Sequence, residues 1–68
     1  MSNAYSVLSH SSDGCIVVRT AKTKYIYAGA SARDVSKILS NQKYKAYSRG
    51  WRILRALRLL QRLEVNPV

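Results

Sequence analysis

Hydrophobic and polar positions alternate along the first part of the chain and recur at helical spacing in the rest. After residues 1–3, a terminus expected to fray, Tyr5 and Val7 alternate with Ser6 and Leu8 follows, the pattern of a short strand with one buried face. Residues 10–14 (HSSDG) are polar and close on Asp13-Gly14, a dipeptide that readily supplies the positive φ of a hairpin turn, so the chain is expected to reverse there. Residues 15–20 (CIVVRT) are β-branched and apolar and predict a central strand. Residues 21–23 then make a turn, and 24–28 (KYIYA) return as a third strand, with Tyr25 and Tyr27 on one face and Ile26 on the other.

Gly29 ends that strand. Ser31 stands where an N-cap is needed, with Asp34 three residues on, close to a capping box. Val35, Ile38 and Leu39 have the spacing of a core-facing helix, and the signal fades at Ser40, Asn41 and Gln42. Tyr44, Ala46 and Tyr47 could extend this helix, open the next one or form a turn between them. Glycine costs about 1 kcal/mol inside a helix, which puts the break near residues 48–50 at Gly50. A second helix is predicted over residues 51–64, stopped by Asn66-Pro67. At 100° per residue, Ile53, Ala56, Leu57, Leu60 and Leu63 fall on one arc, widened by Leu54 and Leu59, while Arg55, Arg58 and Arg62 gather opposite with Trp51. Read as a strand, the segment mixes charged and apolar side chains on both faces, which favours the helix over a variant in which residues 51–57 add a fourth strand. The expected fold is α+β: a three-stranded antiparallel meander followed by two helices, the second long, basic and amphipathic, in a single domain spanning 1–68. No internal repeat, linker or low-complexity tract divides it.

The chain has 68 residues, and a core of that size rarely supplies more than about 3–5 kcal/mol unaided. Cys15 is the sole cysteine, which excludes an intrachain disulfide, and neither it nor His10 has companion ligands at metal-binding spacing, so no metal or cofactor is expected. The leucine arc is wider than one short helix and a small sheet can cover, which points to a homo-oligomer, most simply a homodimer. A lone thiol and the lack of any signal-like segment fit the cytoplasm.

Charge changes the picture most. Twelve Lys and Arg against three Asp and Glu give a net charge of +9, and self-repulsion of that size calls for a polyanionic partner. Seven of the basic residues fall in residues 43–63, with no acidic residue among them. Lys43, Lys45, Arg49, Arg52, Arg55, Arg58 and Arg62, interleaved with Trp51, have the composition of a nucleic-acid surface: arginine grips phosphate in bidentate geometry, and aromatic rings stack on bases. Tyr44 and Tyr47 lie in the same stretch, and unpaired bases suit such rings. A solvated polar face over a core of aromatic residues is the plainer reading, but an all-positive face without i, i+4 partners is costly. The expectation is a small basic protein that binds RNA or DNA through phosphates with little sequence specificity, since no base-reading motif is present. The alternative is a small regulator or inhibitor, of the kind phages encode, docking on an acidic surface of a larger protein through leucines or Trp51. A membrane-surface peptide is disfavoured because the core needs the leucines. Catalysis is not expected: His10 and Cys15 could approach across the first turn as base and thiol, but a serine-rich turn and an apolar strand account for both, and no glycine pattern cradles a phosphate.

Residues 16–57 carry, in order, an apolar strand, a turn, the strand Tyr25-Ile26-Tyr27, Gly29, a helix with Val35, Ile38 and Leu39, and a later aromatic residue ahead of Arg52-Ile53. In this the chain resembles the KTSC domain, a short module found at the C-terminus of some lysyl-tRNA synthetases and alone in bacteria and phages. It departs from that family at Ala30-Ser31, where Val-Pro is usual, and at residues 43–47, where a Ser-x-Gly-aromatic-aromatic segment is usual. The resemblance covers about two-thirds of the chain and implies a small α+β fold and an RNA-binding role, with no catalytic residues to carry over.

Overall fold

The computed structural model describes residues 3–65. Strands β1 (Ser6–His10), β2 (Ile16–Arg19) and β3 (Thr23–Ala28) form the expected antiparallel meander, followed by α1 (Ala32–Lys43), α2 (Tyr47–Arg55) and a fourth strand, β4 (Arg58–Glu64). The sheet runs β1-β2-β3-β4, with β4 antiparallel to β3. The α+β class therefore stands, but the sheet has four strands and not three.

The second helix differs from expectation at both ends. It begins four residues early and passes through Gly50, and it stops after nine residues. At its C-terminus Ala56 donates to the Ile53 carbonyl and Leu57 to that of Leu54, bonds of a tightened 3₁₀ turn that lets the chain leave without Gly or Pro. The fourth strand is also not the variant entertained above, because residues 51–55 are helical and the pairing starts at Arg58. The Asn66-Pro67 stop lies outside the described residues. Leu, Arg, Gln and Glu are better helix than strand formers, so RLLQRLE becomes a strand through its ladder to β3 and not through propensity.

Local chemistry explains the other turns. In the first, Gly14 has φ of 92°, and the Asp13 carboxylate accepts from the Ser11 hydroxyl and from the Cys15 N–H at 3.1 Å. These bonds, the Ser11 one foremost, hold Asp13 below the usual carboxylate range. The capping box at α1 is complete: Ser31 Oγ accepts from Asp34 N–H and Asp34 Oδ2 from Ser31 N–H, both at 3.1 Å. α1 ends with Lys45 in the left-handed region, φ 58°, and with Ala46 N–H reaching back to the Asn41 carbonyl at 2.7 Å.

Both helices lie on one face of the sheet. Ile16, Val18 and Tyr27 from the strands meet Val35 and Ile38 from α1 and Leu54 from α2, with Tyr5 and Ala30 completing the core. The Tyr5 hydroxyl donates to the Ile38 carbonyl at 2.7 Å, and Gln42 Oε1 accepts from Val7 N–H at 2.8 Å, tying β1 to α1. The register places Ser9, Val17, Ile26 and Gln61 in one row of the other face and Ser6, Arg19, Lys24 and Leu63 in the next, and none of these is buried. Leu59, Leu60 and Leu63, expected on the core side of a helix, are 41–48 % exposed on β4.

Candidate nucleic-acid interface

The site is built on β3. Tyr25 and Tyr27 are two residues apart, so they project from the same face, and their rings stack with centroids 6.1 Å apart and planes at 18°. Trp51 on α2 meets Tyr25 edge-on at 5.6 Å and Tyr5 edge-on at 5.6 Å, and its Nε1–H donates to the Asn3 carbonyl at 2.7 Å. That bond fixes the indole and ties down Asn3, which was expected to fray. Arg55 stands one helical turn beyond Trp51, and its charge opposes the larger effect of burial, which with Tyr25 pushes the Tyr27 phenol up. Arg62 pairs with Tyr25 across the β3–β4 ladder, its guanidinium carbon 6.0 Å from the ring centroid. Contact with the Tyr25 hydroxyl, reinforced by Glu64, pushes that guanidinium further up.

Between these groups lies an open cleft of about 450 Å³, lined by Asn3, Thr20, Tyr25, Tyr27, Trp51 and Arg55. Tyr27 is buried, while Tyr25 and Trp51 are half-buried. Among the described residues no acidic one lines it.

The structure redistributes the residues that the sequence gathers on one face. Arg49, Arg52 and Arg55 are exposed along α2 at successive i, i+3 positions. Arg62 joins Arg55 on the helix side of the sheet, whereas Arg58 pairs with Ala28 and so shares the opposite face with Ile26 and Lys24. Lys43 closes α1 with its Nζ 5.6 Å from the Tyr44 ring, and Lys45 occupies the turn between the helices. Trp51 does not project freely with the arginines but packs among tyrosines. Tyr47 likewise packs edge-on against Tyr5 at 5.4 Å, and Tyr44 is 72 % exposed. The sequence already shows Tyr25 and Tyr27 on one face. What it hides is that the strand beside them is β4, which brings Arg62 to Tyr25.

Among the described residues no group of three or more His, Cys, Asp or Glu could hold a metal ion, and no helix is long and apolar enough to cross a membrane. No known protein family, curated protein or solved structure matches this chain.

Proposed function

We propose that the protein binds nucleic acid, chiefly through phosphates and with little sequence preference. The observation that carries this reading is the row of exposed guanidinium groups on α2, Arg49, Arg52 and Arg55, in a stretch from Lys43 to Leu63 that holds no carboxylate. Three arginines at i, i+3 spacing along one short helix can follow a strand of phosphates, and each can take a phosphate with two parallel N–H donors. Lys43 at the end of α1 and Lys45 in the turn before α2 extend the run of charge, Arg62 lies on the helix side of the sheet, and Arg58 adds charge from its far side. The resemblance to the KTSC domain implies a ligand of the same kind.

The test is fluorescence anisotropy with labelled single-stranded RNA, single-stranded DNA and duplex DNA across a salt series. Affinity should fall steeply with salt, with a log-log slope of about 0.9 per phosphate neutralised on duplex and about 0.7 on single strands. Arg49→Glu with Arg52→Glu should weaken binding to every sequence alike. Failure of all three ligands to bind at low salt, or indifference to this double reversal, overturns the reading. In that case an acidic protein surface becomes the partner to seek, and a single protein retained through nuclease treatment and moderate salt identifies it.

A further inference from the structure

The phosphate-binding surface leaves the aromatic cleft unexplained. A protein that only gripped a backbone would have no use for a recess of about 450 Å³ behind its arginines, a volume within the range of about 300–1,000 Å³ typical of small-ligand sites. The cleft has three properties of a site for one nucleotide. Its walls are aromatic: Tyr25 and Trp51, both half-buried, line it together with the buried Tyr27. Arg55 lines it and Arg62 stands beside Tyr25, so guanidinium groups from a helix and from a strand flank the rings. Asn3 and Thr20 are the polar, uncharged residues of the lining. Its geometry is also set in advance, because the Trp51 indole is held by the Asn3 carbonyl and by two edge-on tyrosine contacts.

We infer that this cleft receives a single unpaired nucleotide, its base packed between Tyr25 and Trp51, face-on to one ring and edge-on to the other because their planes stand at 79°, and its phosphate held by Arg55 with Arg62 beside Tyr25 as the nearest further cation. This rests on the nucleic-acid reading and sharpens it to single strands. A base paired in a duplex presents only its edge to the grooves, whereas an unpaired base can turn its face to an aromatic wall. Every base has such a face, so occupancy of the cleft separates single from double strands without reading sequence.

Trp51 is the only tryptophan in the chain, so its fluorescence reports on the cleft directly. The unmodified protein is titrated at one fixed low salt concentration with a short single strand, with an abasic strand of equal length and charge, with a duplex, and with a free mononucleotide. The base-bearing strand should quench Trp51 and bind at least about fivefold more tightly than the abasic strand, the lower end of what one base–aromatic stack contributes. The duplex should bind with little quenching. Equal affinity for the base-bearing and abasic strands with unchanged Trp51 emission overturns the inference and leaves backbone binding standing. Absence of binding to any strand overturns both. Quenching by the mononucleotide at the same affinity as the strand makes the ligand a free nucleotide and overturns the assignment to a strand. Tyr25→Leu, with its fold checked by circular dichroism, should bring the ratio of base-bearing to abasic affinity close to one. A ratio that survives this change in a folded variant also overturns the inference.

Discussion

The Tyr5 ring occupies the space that a side chain at Gly50 would need. A Cβ built on Gly50 would stand 2.6 Å from Tyr5 Cε2 and closer still to the hydroxyl, which is itself engaged with the Ile38 carbonyl. The glycine inside α2 is thus neither a boundary nor a defect. It lets the strand leading into β1 pass against the helix. Gly50→Ala gains up to about 1 kcal/mol of helix propensity, yet it must displace a buried ring and its hydrogen bond, and overpacking of this kind costs about 1–3 kcal/mol. We expect a net loss of about 1–2 kcal/mol, read as a lower urea midpoint. Tyr5→Phe removes the atom closest to the added methyl, so Gly50→Ala should cost less in that background; strict additivity would show that the two sites are not coupled as described.

Burial, followed by the neighbouring Tyr47, raises the pKa of Tyr5, and burial followed by Tyr25 raises that of Tyr27. In the unfolded chain both phenols titrate near 10. Stability held by the neutral phenols is therefore complete below about pH 10 and is lost as pH climbs through the raised folded values, because the unfolded state releases its protons first. Urea midpoints measured from pH 8 to 11 should hold and then fall, and Tyr27→Phe should flatten part of the fall. A midpoint that stays level to pH 11 contradicts this account.

Where burial imposed an alternation or a cap imposed a residue type, the sequence was readable. The meander followed from Ile16, Val18, Tyr25 and Tyr27, and the start of α1 from Ser31 and Asp34, because each of these has one buried partner or one orphan N–H to satisfy. The second half of the basic stretch was not readable. All seven residues of β4 are exposed, so no face of that strand is selected for apolar residues and no period of two is left to find. Its arginines and leucines instead fall by chance at helical spacing after a real helix. The basic stretch shows its arginines in composition but not in layout: pairing of β3 with β4 sets Arg62 against Tyr25 and sends Arg58 to the other face.

Ser31 accepts from Asp34 N–H in a helix that carries two core residues, Val35 and Ile38. Ser31→Ala should cost about 1 kcal/mol, and Ser31→Asp should restore most of it, since aspartate also caps and complements the helix dipole. An alanine variant as stable as the parent would show that the cap is redundant with packing.

β4 lies at the edge of the sheet, seven residues long and bearing Leu59, Leu60 and Leu63 in the open. An edge of that length is a template for a further strand, and pairing of two β4 strands about a two-fold axis satisfies both copies at once. A homodimer is expected in sedimentation equilibrium at high micromolar concentration. Leu60→Lys with Leu63→Lys should shift it to monomer, as lysine on an edge strand opposes pairing. A monomer at every concentration rules out this assembly.

Lys45 brings stability and binding into opposition at one residue. Its φ of 58° is what α1 needs to close with the Ala46 N–H on the Asn41 carbonyl, and a side chain there is strained by about 1–2 kcal/mol. Glycine relieves that strain but loosens the unfolded chain, a cost of about 0.5–1 kcal/mol. Lys45→Gly should therefore stabilise the fold by up to about 1 kcal/mol, or about 4–8 °C in Tm for a domain of this size. The same change deletes one cation from the proposed phosphate surface, so the salt dependence of nucleic-acid binding should shallow by up to one unit of log-log slope, with all sequences weakened alike. A lysine kept at a strained position for its charge gives both effects together. A gain in stability with an unchanged salt slope would remove Lys45 from the interface and leave α2 and the cleft to carry it.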